Sequence, residues 1–387
     1  MASGIVRAGA GDERAYRDHS GKPAAVKMAW LLKGVMAGLC LLAGCGESLD
    51  GATSASVRRA AQKEGELIIY ANTSLMEPLI EDFRRRYPDI TVRVEDMNST
   101  LIAERVVAET QDDRPKADLV WSSAMDLQIK LINDGYAQAY RSPHRRAMPD
   151  GSVWRDQGFG ITAEPIVFAY NRRLLPADAV PRSHADLLRL LEARPQLFAG
   201  RTTVYDAERS GVALMHLSAD VQIYPDAWRL MEALGRSHPR LDTSGQRMMG
   251  QLASGKMVLA YNMNQSFGET WALRHPDVAL VTPSDYHLSV SRVAFIPRAA
   301  PHPNTARLFL DYLLSREGQR GIAVLGIRPV RDDIGDTVRS TSPGARPIRV
   351  GPGLLANLDR VRRERLLDRW KLAMGDAPRA PADPKAP

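Results

Sequence analysis

Between residues 66 and 132 the chain alternates three short apolar runs with three helical repeats, and this alternation constrains the fold more than any other feature. Residues 66–71 (ELIIYA) read as a buried strand. Met76, Leu79, Ile80, Phe83 and Tyr87 then recur at helical spacing behind Thr73-Ser74, and Pro88 ends the helix. Residues 90–94 predict a second strand, 101–109 a helix, and 117–121 (ADLVW) a third strand. Ser122-Ser123 opens a helix carrying Met125, Leu127, Ile129, Leu131 and Ile132, with Gly135 where a C-cap is expected. Strands that each hand over to a helix pack as a largely parallel α/β sheet.

A second alternating block follows an extended run at 161–170. Helical patterns cover 183–192, 211–219, 225–235 and 245–253, with strands near 201–205, 257–262 and 278–282. Another extended run, 287–296, precedes helices at 303–314, 317–325 and 354–374. Two α/β blocks joined by two extended connections predict a two-lobed α/β fold, each lobe a mostly parallel sheet flanked by helices, with two hinge strands and a cleft between. The expected division is a signal region at 1–44 and a tether at 45–63. Lobe 1 takes 64–163 and 287–375, lobe 2 takes 164–286, and 376–387 is a disordered Pro/Ala-rich tail. Ligands of such sheets sit beyond the carboxyl ends of strands, at helix N-termini.

The N-terminal region reads as an export signal. Lys27 and Lys33 flank a short apolar stretch, and the following residues 34–44 (GVMAGLCLLAG) carry no charge, about half the ~20 residues of a spanning helix. Leu42-Ala43-Gly44-Cys45 resembles the bacterial lipoprotein cleavage box, which would make Cys45 the lipidated first residue of the mature chain; a conventional signal peptide is the alternative. Residues 1–25 are polar and lengthen the leader beyond the usual, so translation is expected to begin near Val26 or Met28. Both cysteines, Cys40 and Cys45, fall in this region, and the following 342 residues have none. That excludes a disulfide framework, a Cys-type zinc site or a catalytic cysteine in the body. The formal net charge of +7 invites a nucleic-acid reading. It divides into +3 for residues 1–44, +6 for 339–387 and −2 for the body between, so no nucleic-acid partner is expected. The basic run Arg360, Arg362, Arg363, Arg365, Arg369 and Lys371 reads as a solvated helix face.

The segments 65–71 (GELIIYA), 117–123 (ADLVWSS), 133–136 (NDGY), 169–171 (AYN), 253–256 (ASGK) and 351–355 (GPGLL), with a final helix ending in Trp370, share order and spacing with one family. The chain resembles class II periplasmic solute-binding proteins of ABC importers, specifically the ferric-iron-binding-protein-like subgroup. The resemblance covers about residues 64–374 and implies hinge closure around one small solute. Ferric members of that family use two adjacent tyrosines; here no two of the eleven tyrosines are adjacent, and the comparable stretch is the amide-rich Tyr261-Asn262-Met263-Asn264-Gln265-Ser266. Neutral amides are poor ferric ligands. The subgroup is also similar to binders of sugar phosphates, phosphoglycerate and phosphonates.

The candidate ligand-binding residues are Thr73, Ser74, Ser122, Ser123, Tyr170, Arg209, Ser210, Asn262 and Asn264. Hydroxyls and N–H groups at helix starts suit an anion, Arg209 would clamp it, Tyr170 would stack on it, and the paired amides would read hydroxyls. Each also has a bland reading as a helix cap, a surface ion pair, a hinge-packed tyrosine or a turn residue. No zincin, Walker A, G-x-S-x-G or G-x-G-x-x-G motif occurs. No enzyme activity, metal or cofactor is expected. The leading expectation is a monomeric periplasmic receptor, lipid-anchored through Cys45, that passes a small anionic solute to an ABC permease in the inner membrane. A sensor presenting its bound form to a membrane histidine kinase, and a ferric-iron binder, are the alternatives.

Overall fold

The computed structural model describes residues 53–72, 76–334 and 343–381. The chain enters through α1 (Ala55–Glu64), where Ser54 Oγ accepts from Val57 N at 3.2 Å and Gly65 turns out at φ +66°. The alternation then unfolds in the expected order: β1 (Glu66–Ala71), α2 (Glu77–Arg86), β2 (Thr91–Asp96), α3 (Ser99–Gln111), β3 (Leu119–Ser122) and α4 (Met125–Asn133). β1 pairs in parallel with β2 and β3. The short strands β4 (Val153–Trp154) and β5 (Gly158–Gly160) follow, and residues 161–163 carry the chain into a second sheet.

That sheet begins with β6 (Glu164–Asn171). Then come α5 (His184–Ala193), α6 (Pro195–Phe198), β7 (Thr202–Tyr205), α7 (Gly211–Ile223), α8 (Ala227–Arg236), β8 (Arg240–Asp242), α9 (Gly245–Ala253), β9 (Leu259–Asn264), α10 (Gln265–Arg274), β10 (Val278–Val281) and β11 (His287–Val290). β7 lies parallel to β8 and β9, whereas β6 runs antiparallel to β9, β10 and β11. The chain returns through 291–292 to β12 (Val293–Phe295), which inserts antiparallel between β3 and β5. α11 (Pro303–Leu314), α12 (Arg316–Val324), β13 (Ala345–Pro347) and α13 (Arg360–Met374) complete the described chain. The sheet orders are β2-β1-β3-β12-β5-β4 and β13-β11-β6-β9-β7-β8, with β10 also on β6.

The run at 287–296 is therefore two strands, not one. Ser291-Arg292 divides it, so residues 287–290 belong to the second sheet, and lobe 1 resumes at about 291. Both crossings meet at one edge of each sheet, where β1, β3, β7, β8 and β9 end. Ile166 at the start of β6 pairs with Asn264 at the end of β9, which places the second lobe's strand ends beside the crossings.

Three other expectations need correction. Residues 53–64 are not a tether. α1 lies against α11, Ala61 is fully buried, Thr53 Oγ1 donates to Asp311 at 2.8 Å, and Glu64 accepts from Thr305 N at 2.7 Å, capping α11. The last helix sits on the second lobe rather than the first. Trp370 and Met374 of α13 pack with Leu230 and Leu234 of α8, and a Cβ at Gly235 would stand 1.8 Å from the Ala373 carbonyl oxygen, so the two helices meet backbone to backbone. The first part of the tail is ordered. Leu241 N donates to Pro378 O at 2.9 Å, Ala380 N donates to Leu241 O at 2.8 Å, and Ala377 and Ala380 are buried.

Candidate functional site

At the edge where the crossings meet, a chain of hydrogen bonds runs from one lobe to the other. Asn72, just past β1, donates through Nδ2 to Ser123 Oγ at 2.7 Å and to Ser99 Oγ at 3.0 Å. Its Oδ1 accepts from Ser123 N at 3.2 Å and from Arg292 Nη1 at 3.4 Å. Arg292, in the second crossing, donates Nε to Glu164 Oε1 at 3.1 Å, and the pair is nearly withdrawn from solvent, with side chains 13% and 2% exposed. Glu164, in the first strand after the other crossing, also accepts from Thr162 Oγ1 and from Asn264 Nδ2, both at 2.9 Å. Arg292 N donates to Thr162 Oγ1 at 2.8 Å, which ties the two crossings to each other.

The buried carboxylate is compensated by a guanidinium and two neutral donors. Arg292 carries five N–H donors in a planar fork, and the Glu164 and Asn72 bonds leave others for a ligand. Asn72, Ser123, Arg292 and Asn264 are all only partly buried, so the line of groups faces accessible space. Asn264 also caps α10, its Oδ1 accepting from Phe267 N at 3.2 Å. The second lobe thus adds a helix start to a site that the first lobe supplies with a hydroxyl and an amide.

Among the sequence-derived candidates, the structure brings Ser123 and Asn264 into this line. Ser122, Tyr170, Arg209, Ser210 and Asn262 stand elsewhere. Ser122 is 1% exposed and turned inward, donating to Ser99 Oγ at 2.8 Å and accepting from Ala124 N at 3.2 Å. Ser210 is buried as the N-cap of α7, accepting from Ala213 N at 3.3 Å. Arg209 holds the tail: Nη1 donates to Ala380 O at 2.8 Å and lies 3.8 Å from Asp206. Tyr170 is at the far end of β6 from Glu164, opposite Leu259, about 20 Å along the strand. Thr73, Ser74 and Cys45 lie outside the described residues.

Asn262 is turned into the second lobe by a β-bulge. Tyr261 and Asn262 of β9 together oppose the single residue Phe168 of β6, one more than regular pairing allows, and Asn262 has φ +58°. Its Nδ2 donates to Asp220 Oδ2 at 2.7 Å, beside Tyr261 Oη at 3.0 Å, while Tyr286 Oη reaches Oδ1 at 2.8 Å. Burial pushes the Asp220 carboxyl above its ordinary range. Burial and this neighbouring carboxyl together drive the Tyr261 phenol far up. The same bulge re-aims the following residues so that Asn264 reaches Glu164.

Sequence reading missed Asn72, Ser99, Thr162, Glu164 and Arg292. A signal was present: Glu164 and Arg292 are single opposite charges embedded in the two extended apolar runs, where an unpaired charge would be untenable.

The profile described as bacterial extracellular solute-binding protein matches residues 78–347. The substrate-binding protein of an ABC transporter from Agrobacterium tumefaciens is 35% identical, with 80% of this chain and 94% of that one covered and a TM-score of 0.74. The periplasmic binding protein AfuA from Actinobacillus pleuropneumoniae, solved with fructose-6-phosphate bound, is 20% identical over 81% of this chain and 99% of its own, TM-score 0.62. Iron-bound HitA from Pseudomonas aeruginosa is 19% identical over 80% and 99%, TM-score 0.61. At those identities the last two show the fold alone. With two sheets joined by paired crossings, a family profile spanning most of the body and a relative at 35% identity, this chain belongs to the bacterial extracellular solute-binding proteins of ABC-transporter type, which work outside the cytoplasm.

Proposed function

We propose that the protein captures a small polar anion, phosphorylated or carboxylated, at the Asn72–Ser123–Arg292–Asn264 line and hands it to an ABC permease. The observation that carries this reading is the Arg292–Glu164 pair at the junction of the two crossings, hydrogen-bonded to Asn72 of one lobe and Asn264 of the other. A guanidinium fixed there has spare donors for an anion and is mounted on the segments that flex when the lobes move. Closure is stabilised only as far as the solute binds the closed arrangement more tightly than the open one.

The ferric alternative has less support. The tyrosine in the comparable stretch, Tyr261, donates to Asp220 inside the lobe, and its raised ionisation opposes the tyrosinate form that binds iron. AfuA, bound to a sugar phosphate, makes an anion the natural first probe. Anchoring through Cys45 fits the same role, because a tethered receptor stays close to its permease.

A thermal-shift screen of the mature chain tests the solute class, using sugar phosphates, phosphoglycerates and phosphonates against polyamines and ferric citrate. An anion at ~100 times its Kd adds ~2.7 kcal/mol of stability. A shift given only by polyamines or ferric citrate overturns the reading.

A further inference from the structure

A second concavity lies between the lobes and shares no residue with the crossing line. Its volume is about 600 Å³, a size that suits a small metabolite. Lobe 1 contributes Arg145, Asp150 and Trp154, α7 of lobe 2 contributes Gln222, β13 contributes Arg346 and the segment after it Arg349. Asp150 is the single acid among these walls against three guanidinium groups. Arg145 is partly balanced by Asp156 at 3.3 Å. Arg346 gives one hydrogen bond, to the Ala345 carbonyl at 3.2 Å. Arg349 makes no hydrogen bond or ion pair among the described residues.

The wall that carries these arginines is fixed to both lobes. Ile348 N donates to Ser289 O of β11 at 2.9 Å, and Val350 N donates to Gly151 O of lobe 1 at 2.7 Å. Gly151 has φ +82°, and a Cβ there would lie 2.8 Å from Arg349 Cζ. The glycine therefore makes the turn and also leaves the space in which the Arg349 guanidinium lies across the backbone. A guanidinium held in place without a partner has its fork of donors ready for phosphate or carboxylate oxygens.

The geometry points to a second binding site here, for a compact multivalent anion with phosphate or carboxylate groups. Because its walls come from both lobes, the occupant biases how the lobes sit and acts as an effector distinct from the transported solute. The site does not depend on the identity of that solute.

Isothermal titration calorimetry of the mature chain with sodium pyrophosphate and, separately, with citrate tests it at physiological ionic strength. Binding of either probe with Kd at or below about 1 mM is expected, and the stronger one identifies the favoured group. The Arg346→Ala/Arg349→Ala double variant, changed at two exposed positions, should bind at least about tenfold more weakly. Gln222→Glu, which puts a carboxylate into the opposite wall, should also weaken binding, while Arg114→Ala, at an exposed arginine that lines neither site, should leave it unchanged. No binding by the wild type overturns the proposal, as does equal binding by the double variant. Loss in Arg292→Ala with retention in the double variant would assign the anion to the crossing line instead.

Discussion

The two lobes bring the same kind of edge to the crossings and use it differently. In the first, the polar groups past β1 and β3 stay at the surface: Asn72 and Ser123 bond to each other and remain partly accessible. In the second, the groups past β7 and along the last residues of β9 are largely turned to internal tasks. Ser210 caps α7, Arg209 holds the tail, and Asn262 joins Tyr261 and Tyr286 around Asp220. Only Asn264, re-aimed by the bulge, reaches across to Glu164. In the proposed function the first lobe carries the preformed seat, while the second is a braced body that delivers one amide and a helix start.

The largest effect expected from this contrast is inside lobe 2. Asp220→Ala strands two hydroxyls and an amide in a buried site, and each unsatisfied group costs ~1–3 kcal/mol, so chemical denaturation should show a loss of about 3 kcal/mol or more. A loss below about 1 kcal/mol would mean that the lobe is not braced there.

His216 gives the next effect. It sits on α7 with neither ring nitrogen hydrogen-bonded among the described residues, and burial pushes its pKa down to about 4. The folded state thus favours the neutral ring. Its contribution is intact above the ordinary value of 6.5 and fades as the pH falls toward about 4, by up to about 3 kcal/mol. Denaturation curves across that window should be flatter for His216→Leu than for the wild type; parallel curves would remove His216 from the account.

Binding variants test the first lobe. Asn72→Ala and Ser123→Val should each weaken solute binding by about 10–100-fold, equivalent to ~1.4–2.7 kcal/mol, with little loss of stability because both sites are partly exposed. Asn264→Ala should weaken it less, by about tenfold. A ranking with lobe 2 first would invert the comparison. The smallest effect belongs to Arg209→Ala, which should leave solute affinity unchanged and loosen only the tail, by less than about 1 kcal/mol; faster proteolysis near residue 380 is the readout.

The contrast also explains what could be read from sequence. β1, β2, β3 and their helices were legible because each buries an apolar run or stripe, a local property. The split of 287–296 was not, because both halves are extended and apolar, and only the partner strands decide which sheet each joins. α1 was missed because its sequence, ASVRRAAQKE, shows one fully buried residue, Ala61, and its stability comes from docking on α11. The basic character of α13 hid where it docks: Trp370 and Met374, its buried side chains, sit in the lobe-2 core with Leu366, Leu367 and Ala373 packed beside them. At the site, Ser123 and Asn264 could be named from their positions after strands. Asn262 could not be separated from Asn264, because a one-residue bulge reverses which way each points. Arg292 and Glu164 find each other only across a sequence separation of 128 residues.

The central claim is that an anion seated on the Arg292 line draws the lobes together. No cysteine follows Cys45, so Glu104→Cys on α3 and Glu232→Cys on α8, both exposed positions, would give one label on each lobe once Cys40 and Cys45 are absent or replaced. The interlobe distance, followed by pulsed electron resonance while the stabilising phosphorylated or carboxylated solute is added, tests the claim most directly. The account predicts that the distance distribution shortens and narrows in the wild type and stays unchanged in Arg292→Ala at the same solute concentration. Binding without any change in distance, or equal shortening in Arg292→Ala, would contradict it.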